Sequence, residues 1–306
     1  MIGVIAQMAF TIALGLAWRQ LPLGGLTADR ARPALTTAVY YFFLPALVLS
    51  VLWRAPLGID TGKIALASAS GILSSLLLMT LVGRFMRLSR TEFGALLLAA
   101  SFPNATYLGL PLLSSLYGEA GKPIAIQYDL FAATPILLSL GIYLASRLGT
   151  HHETVHPVRS LLKVPPLWAA LIGSGLNLSG LAPPPDVAAF LDRLGSAVVP
   201  IMLLALGMSL NLATLGSRIH WQKIAPALLI QLLWMPLVVW AVVTGTHMTG
   251  MAATATVLLG ATPSMILGLV ICDRFGLDTG LYATAATAST LIAMATLPLW
   301  HQVLGH

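Results

Sequence analysis

Two interrupted apolar stretches, Ser101-Phe-Pro-Asn-Ala-Thr-Tyr-Leu-Gly-Leu-Pro111 and Gly260-Ala-Thr-Pro-Ser-Met-Ile-Leu-Gly268, follow one plan about 160 residues apart. In each, proline breaks an apolar run, a polar residue follows directly (Asn104, Ser264), and a glycine comes five or six residues after the proline (Gly109, Gly268). Each then reaches an aromatic-glycine end, Tyr117-Gly118 and Phe275-Gly276. Proline removes a helix donor and crowds the preceding turn, so unwound backbone at membrane depth must face protein or water rather than lipid. Paired breaks at matching places in two halves of a chain point to a binding site between the halves.

Working outward, the chain has 306 residues, 58% of them hydrophobic and only 8% charged, with mean hydropathy +0.89. Soluble domains carry about 25% charge, so this composition describes an all-α integral membrane protein. The N-terminal stretch Met1 to Trp18 is apolar without a basic leader and reads as a first membrane helix rather than a cleaved signal. A formal charge of +6 suggests nucleic acid in a soluble protein, but here the basic residues sit in short loops beside apolar runs, so nucleic acid is excluded as a partner. The single cysteine, Cys272, rules out an intrachain disulfide and reads as a small packed residue.

Runs of membrane-spanning length predict helices near Ile2 to Trp18, Ala34 to Trp53, Lys63 to Gly83, Glu92 to Leu116 and Ile124 to Ser146. A second set follows near Lys163 to Leu178, Val187 to Leu210, Ile219 to Thr244, Thr249 to Cys272 and Thr279 to Trp300. The expected organisation is a five-helix repeat over 1–146, a cytosolic linker over 147–162 and a second repeat over 163–306. On this arrangement twelve of the sixteen basic residues collect on one side and four on the other. The positive-inside rule then puts the linker in the cytosol and both termini outside. Five spans per half make the two repeats inverted, with broken helices 4 and 9 crossing. Pro45 and Pro200, and Pro135 and Pro298, occupy matching second and fifth helices, although proline also kinks membrane helices without function.

A mid-helix break exposes the N-terminus of the second half-helix, whose free N–H groups favour an anion. Asn104, Thr106, Thr262 and Ser264 add neutral polar groups at the expected crossing, and Pro103, Gly109, Pro111, Pro263 and Gly268 shape it. No Asp, Glu or Lys lies within either break, which suits an organic carboxylate better than a bare cation, while half-helix carbonyls remain a place for Na⁺. Asp129, about five residues into the fifth helix, has two readings: a proton or ion-coupling group facing a cavity, or an interfacial carboxylate that pairs with Lys122 or caps a neighbour. Gln231 reads as an interhelical hydrogen-bonding group. His151, His152 and His156 in the linker lack a second ligand cluster and read as a solvated loop, so no metal and no cofactor are expected. Walker A, metalloprotease and Gly-x-Ser-x-Gly patterns are absent from the sequence, which argues against an enzyme.

At Ser101-Phe-Pro-Asn-Ala-Thr-Tyr-Leu-Gly-Leu-Pro111, at Pro263, at Phe275-Gly-Leu-Asp278 and at Ala288-Ser-Thr-Leu291, the chain resembles the auxin efflux carrier family of plant exporters and bacterial organic-acid transporters. The likeness covers essentially the whole chain. It implies a bile-acid-symporter-like fold with a scaffold and a transport domain, in the inner membrane of a bacterium, with Pro103, Asn104, Gly109 and Pro263 at the crossover and substrate site. Family members often carry Asn or Gln shortly after the second crossover proline, whereas this chain has Ser264, Met265 and Ile266. The expected function is secondary transport of a small organic anion by an elevator mechanism. The coupling ion, where there is one, is H⁺ or Na⁺. The alternatives are a Na⁺-coupled bile-acid-type symporter, a passive channel and an intramembrane enzyme. The expected partners are the lipid bilayer and the anion, with homodimerisation left open.

Overall fold

A computed structural model describes residues 2–151, 157–216 and 218–305. Linker residues His152 and His156 lie outside the described residues. Among the described residues the protein is all-helical, without strands. In chain order the longer helices are α1 (Ile2–Gln20), α2 (Ala28–Arg54), α3 (Ile59–Gly83), α4 (Arg90–Ser101), α5 (105–117) and α6 (121–148), then α7 (Pro165–Leu178), α8 (Pro185–Ser209), α9 (Trp221–Gly245), α10 (Gly250–Gly260), α11 (Leu267–Phe275) and α12 (Thr279–Leu304). Among the described residues, six helical stretches are long and apolar enough to cross a membrane: Ala28–Arg54, Ile59–Gly83, Ala105–Leu148, Pro185–Ser209, Trp221–Gly245 and Thr279–Leu304. Each predicted broken run is a pair of half-helices, α4 with α5 and α10 with α11, so none of those four pieces has a span's length by itself.

The 44-residue stretch Ala105–Leu148 is two helices folded back on each other. Gly118 takes a positive φ (58°) that favours glycine, and a Cβ placed on Gly121 would stand 2.4 Å from the Leu113 carbonyl oxygen. In a continuous helix eight residues rise about 12 Å; the contact therefore requires a reversal at Gly118.

Four of the prolines inside the helices are accommodated by one device. Wide π turns at Val39–Phe43, Ala105–Gly109, Asp129–Ala133 and Ile230–Trp234 each end two residues before a proline, namely Pro45, Pro111, Pro135 and Pro236. Proline crowds the carbonyl four residues earlier, which here is the central residue of each π turn, and widening the turn relieves the clash. The crowded carbonyl before Pro236, that of Leu232, accepts instead from the Trp300 indole N–H at 3.1 Å.

Packing between helices relies on small residues, as expected where lipid removes most of the hydrophobic drive between apolar surfaces. α1 lies against α8 so closely that a Cβ on Gly15 would meet the Leu204 oxygen at 2.1 Å, and one on Gly207 the Ile12 oxygen at 2.0 Å. The neighbours are reciprocal: α1 packs on α8 and α7 on α2, α4 packs on α12 and α10 on α6, and α3 packs on α9.

Candidate functional site

The site begins where α4 stops. Phe102 precedes a proline and is extended (φ −118°, ψ 107°), as such residues prefer, and the chain runs straight through Pro103 to Asn104. The second break, after Gly260, brings Pro263 to Met265 alongside. The two form an antiparallel bridge between Pro103 and Ser264: the Asn104 N–H donates to the Pro263 oxygen at 2.8 Å, and the Met265 N–H to the Phe102 oxygen at 3.0 Å. Each break thus supplies the partners the other lost, avoiding unpaired backbone groups that cost several kcal/mol in an apolar interior. The prolines sit where the bridge needs no donor.

Side chains complete the seal on the second break. The Ser264 hydroxyl donates to the Ala99 carbonyl at 2.6 Å, Tyr282 donates to the Met265 carbonyl at 2.6 Å, and the Gln231 amide donates to the Thr262 carbonyl at 2.8 Å. The Thr262 hydroxyl turns back to the Leu259 carbonyl at 2.6 Å. Thr262 and Ser264 are buried at 0% and 1% exposure, and neither lines the cavity described below. The sequence expectation placed both at a substrate site; here both hydroxyls donate to carbonyls of the broken helices. Gln231 is the interhelical group it was expected to be.

The first break is different. Asn104 caps α5, its Oδ1 accepting from the Tyr107 N–H at 3.2 Å, while its Nδ2 is buried without a hydrogen-bond partner. Asn104, Thr106 and Tyr107 line a cavity of about 120 Å³ closed by Tyr40 and Leu44 of α2 and by Met265 and Ile266. Asp129 of α6 completes it, half-buried, its carboxylate accepting from the hydroxyl of Thr106 and, at 3.0 Å, from that of Thr134. The expected alternative pairing of Asp129 with Lys122 does not occur, because Lys122 pairs with Glu119 at 2.5 Å. The neutrality read from the breaks holds for their own residues only. Folding brings a carboxylate into the cavity from the next helix.

Pro103 lines the cavity as well. Gly109 and Gly268 lie at close approaches: a Cβ on Gly109 would stand 2.6 Å from a Leu259 methyl, and one on Gly268 would stand 1.9 Å from the Tyr282 hydroxyl. Pro111 follows the π turn that carries Thr106, and Pro263 accepts the Asn104 N–H. Thr134 escaped the sequence reading, although Asp129 and Thr134-Pro135 are five residues apart, the spacing that a π turn before proline puts on one face. A second cavity of about 800 Å³, lined in part by Arg54, Lys63 and Gln127, lies further along the α2–α6 seam. A gap of about 10 Å³ lined by Leu44, Val48, Thr106, Leu110, Ile126 and Asp129 adjoins the first cavity along that seam.

Long apolar helices around a buried, partly polar cavity at two mutually bridged breaks define an integral membrane transport protein. Residues 3–301 match the model of the membrane transport protein family, the auxin efflux carrier family, and the chain belongs to it. It is 28% identical over 283 residues to an uncharacterized transporter of Methanothermobacter thermautotrophicus, covering 92% of this chain and 91% of the relative. It is 25% identical over 225 residues to the uncharacterized transporter YfdV of Escherichia coli, covering 71% of this chain and 70% of the relative. The protein is a transporter by family, not an enzyme.

Proposed function

We propose that this protein is a secondary carrier of a small organic anion, with the carboxylate docking at Asn104 and the N-terminus of α5. The observation that carries the reading is the buried, unpartnered Nδ2 of Asn104 at the cavity wall. Such a donor costs about 1–3 kcal/mol while unpaired, and a charge-assisted hydrogen bond to a carboxylate recovers it. The free N–H groups that open α5 add a favourable dipole for the same charge. Apolar walls from Leu44, Leu130, Met202 and Ile266 suit a short carbon skeleton.

The carrier works by displacement of a crossed-helix domain against a scaffold, in ten spans arranged as two inverted five-helix repeats, with the linker cytosolic and both termini outside. Three features support this: the twelve-to-four bias of basic residues, the reciprocal packing of α1 on α8 and α7 on α2, and the cavity's position on the seam between α2 and α6. Asp129, in the same cavity, is the candidate for the coupling ion. Uptake of radiolabelled carboxylates into proteoliposomes tests the reading. Saturable uptake that Asn104→Ala lowers roughly 10- to 100-fold while the purified protein stays folded is the expected result. Unchanged uptake in that variant removes the site.

A further inference from the structure

The anion-carrier reading leaves open which ion accompanies the substrate and how the two are linked. A Na⁺ site at a helix break draws on carbonyls the break has freed. Here the carbonyls of Ala99, Phe102, Thr262, Pro263 and Met265 are taken by Ser264, the Met265 N–H, Gln231, the Asn104 N–H and Tyr282. The Asn104 carbonyl accepts from both Leu108 and Gly109, and the Asp129 carbonyl accepts from Thr134. At Asp129 itself the two neighbouring groups are hydroxyls aimed at the carboxylate as donors. This surrounding suits a carboxylate that exchanges a proton, not a dehydrated metal ion.

Thr106 belongs to two places at once. Its hydroxyl donates to Asp129, and it stands in the cavity wall two residues from Asn104. A hydroxyl has one proton to give. Resting on the anion-carrier reading, the geometry points to obligatory proton–anion symport, with Asp129 as the proton site and Thr106 as the residue that links the two cargoes. In the empty site Asp129 is ionised and holds the Thr106 proton. An arriving carboxylate then meets a second negative charge across one shared hydroxyl, and the Thr106 proton is not free to meet it. When a proton binds a carboxylate oxygen of Asp129, the new acid O–H donates to Thr106 Oγ1. The Thr106 proton turns to the substrate carboxylate beside Asn104 Nδ2, and one negative charge remains in the cavity. On release the anion departs, Thr106 returns to Asp129, and the proton leaves with the anion. No covalent bond other than that O–H is made or broken.

The other titratable groups facing Asp129 are Tyr40 from α2, Tyr107 from α5 and Tyr128 from α6, and Arg32 lies near enough to Tyr107 for their charges to interact. α3 presents the Ser68 hydroxyl, which bonds the Tyr128 carbonyl at 3.0 Å, and α8 presents Met202. Phenols and guanidinium groups as classes titrate above pH 9 or so. Asp129 is the carboxyl group among the residues lining this cavity.

The experiment uses the full chain in detergent, with propionate and malonate as probes, binding read from ligand-dependent thermal stabilisation at pH 6.5, 7.5 and 8.5. A pH-indicator dye in weak buffer counts protons taken up as each probe binds. Wild type is expected to take up one proton per anion and to lose up to about tenfold in affinity per pH unit once Asp129 is ionised. Asp129→Asn, a fixed mimic of the protonated acid, binds equally well across the range and takes up none. Thr106→Val weakens binding and flattens the pH profile, and Thr106→Ser restores both. Wild-type binding without proton uptake overturns the symport mechanism but leaves the anion site standing, and this measurement needs no variant to fold. Binding that requires Na⁺ at constant pH overturns it too. Failure of both probes to bind wild type at any of the three pH values removes the anion-carrier reading and the symport with it.

Discussion

The two breaks share a sequence plan and differ in what they do with their polar groups. At the second, Thr262 and Ser264 have both hydroxyls donating to carbonyls, and Gln231, Tyr282 and Ser289 reach in from α9 and α12 to satisfy the backbone. At the first, the break caps its own helix with Asn104 and leaves Nδ2 buried without a partner beside a cavity. Symmetry of motif is therefore not symmetry of role. One break is a closed backbone joint and the other holds a donor in reserve, because the cap uses only the asparagine's oxygen as acceptor and leaves its amide nitrogen over, whereas a serine has a single proton to give.

The strongest test of this difference is steric. Gly268→Val puts a side chain on the Tyr282 hydroxyl, and a loss of about 3 kcal/mol or more, seen as poor expression and a collapsed Tm, is expected. Next comes Asn104→Ala, which should lower kcat/KM for the transported anion roughly 10- to 100-fold, about 1.4–2.7 kcal/mol, with only about 1 kcal/mol of stability lost with the cap. A Tm drop as large as that of Gly268→Val would make Asn104 structural and erase the contrast. Tyr282→Phe leaves the Met265 carbonyl unpaired, and Ser264→Ala does the same to that of Ala99. Each should cost about 1–3 kcal/mol in thermal stability while leaving KM within about twofold; a large KM change in Ser264→Ala would return the second break to the binding site. The smallest effect is expected for Thr262→Ala, whose hydroxyl bonds only within its own turn, at about 0.5–1 kcal/mol with transport unchanged.

Much of this was legible in the chain. The helical stretches follow the apolar runs, and the breaks follow Pro103 and Pro263, because proline acts on the backbone through its own ring whatever surrounds it. Asn104 as a cap is also local, since the helix donors it serves lie within three residues. The fates of Thr262 and Ser264 were not legible: their acceptors are carbonyls, which every residue carries and no side-chain pattern marks. Asp129 read equally well as an interfacial ion-pair partner, and only the fold-back at Gly118 and the π turn at Asp129–Ala133 turn it towards Thr106.

By itself, then, the sequence determined a helical membrane protein broken at two matching points, since hydropathy, proline chemistry and capping are properties of short segments. The tertiary structure decided the register that sets Pro103 against Ser264, the sealing of one break and not the other, and the carboxylate placed in a cavity whose own breaks carry no charge. Those depend on distances between residues far apart in the chain, and burial then makes each unmatched polar group costly enough to matter.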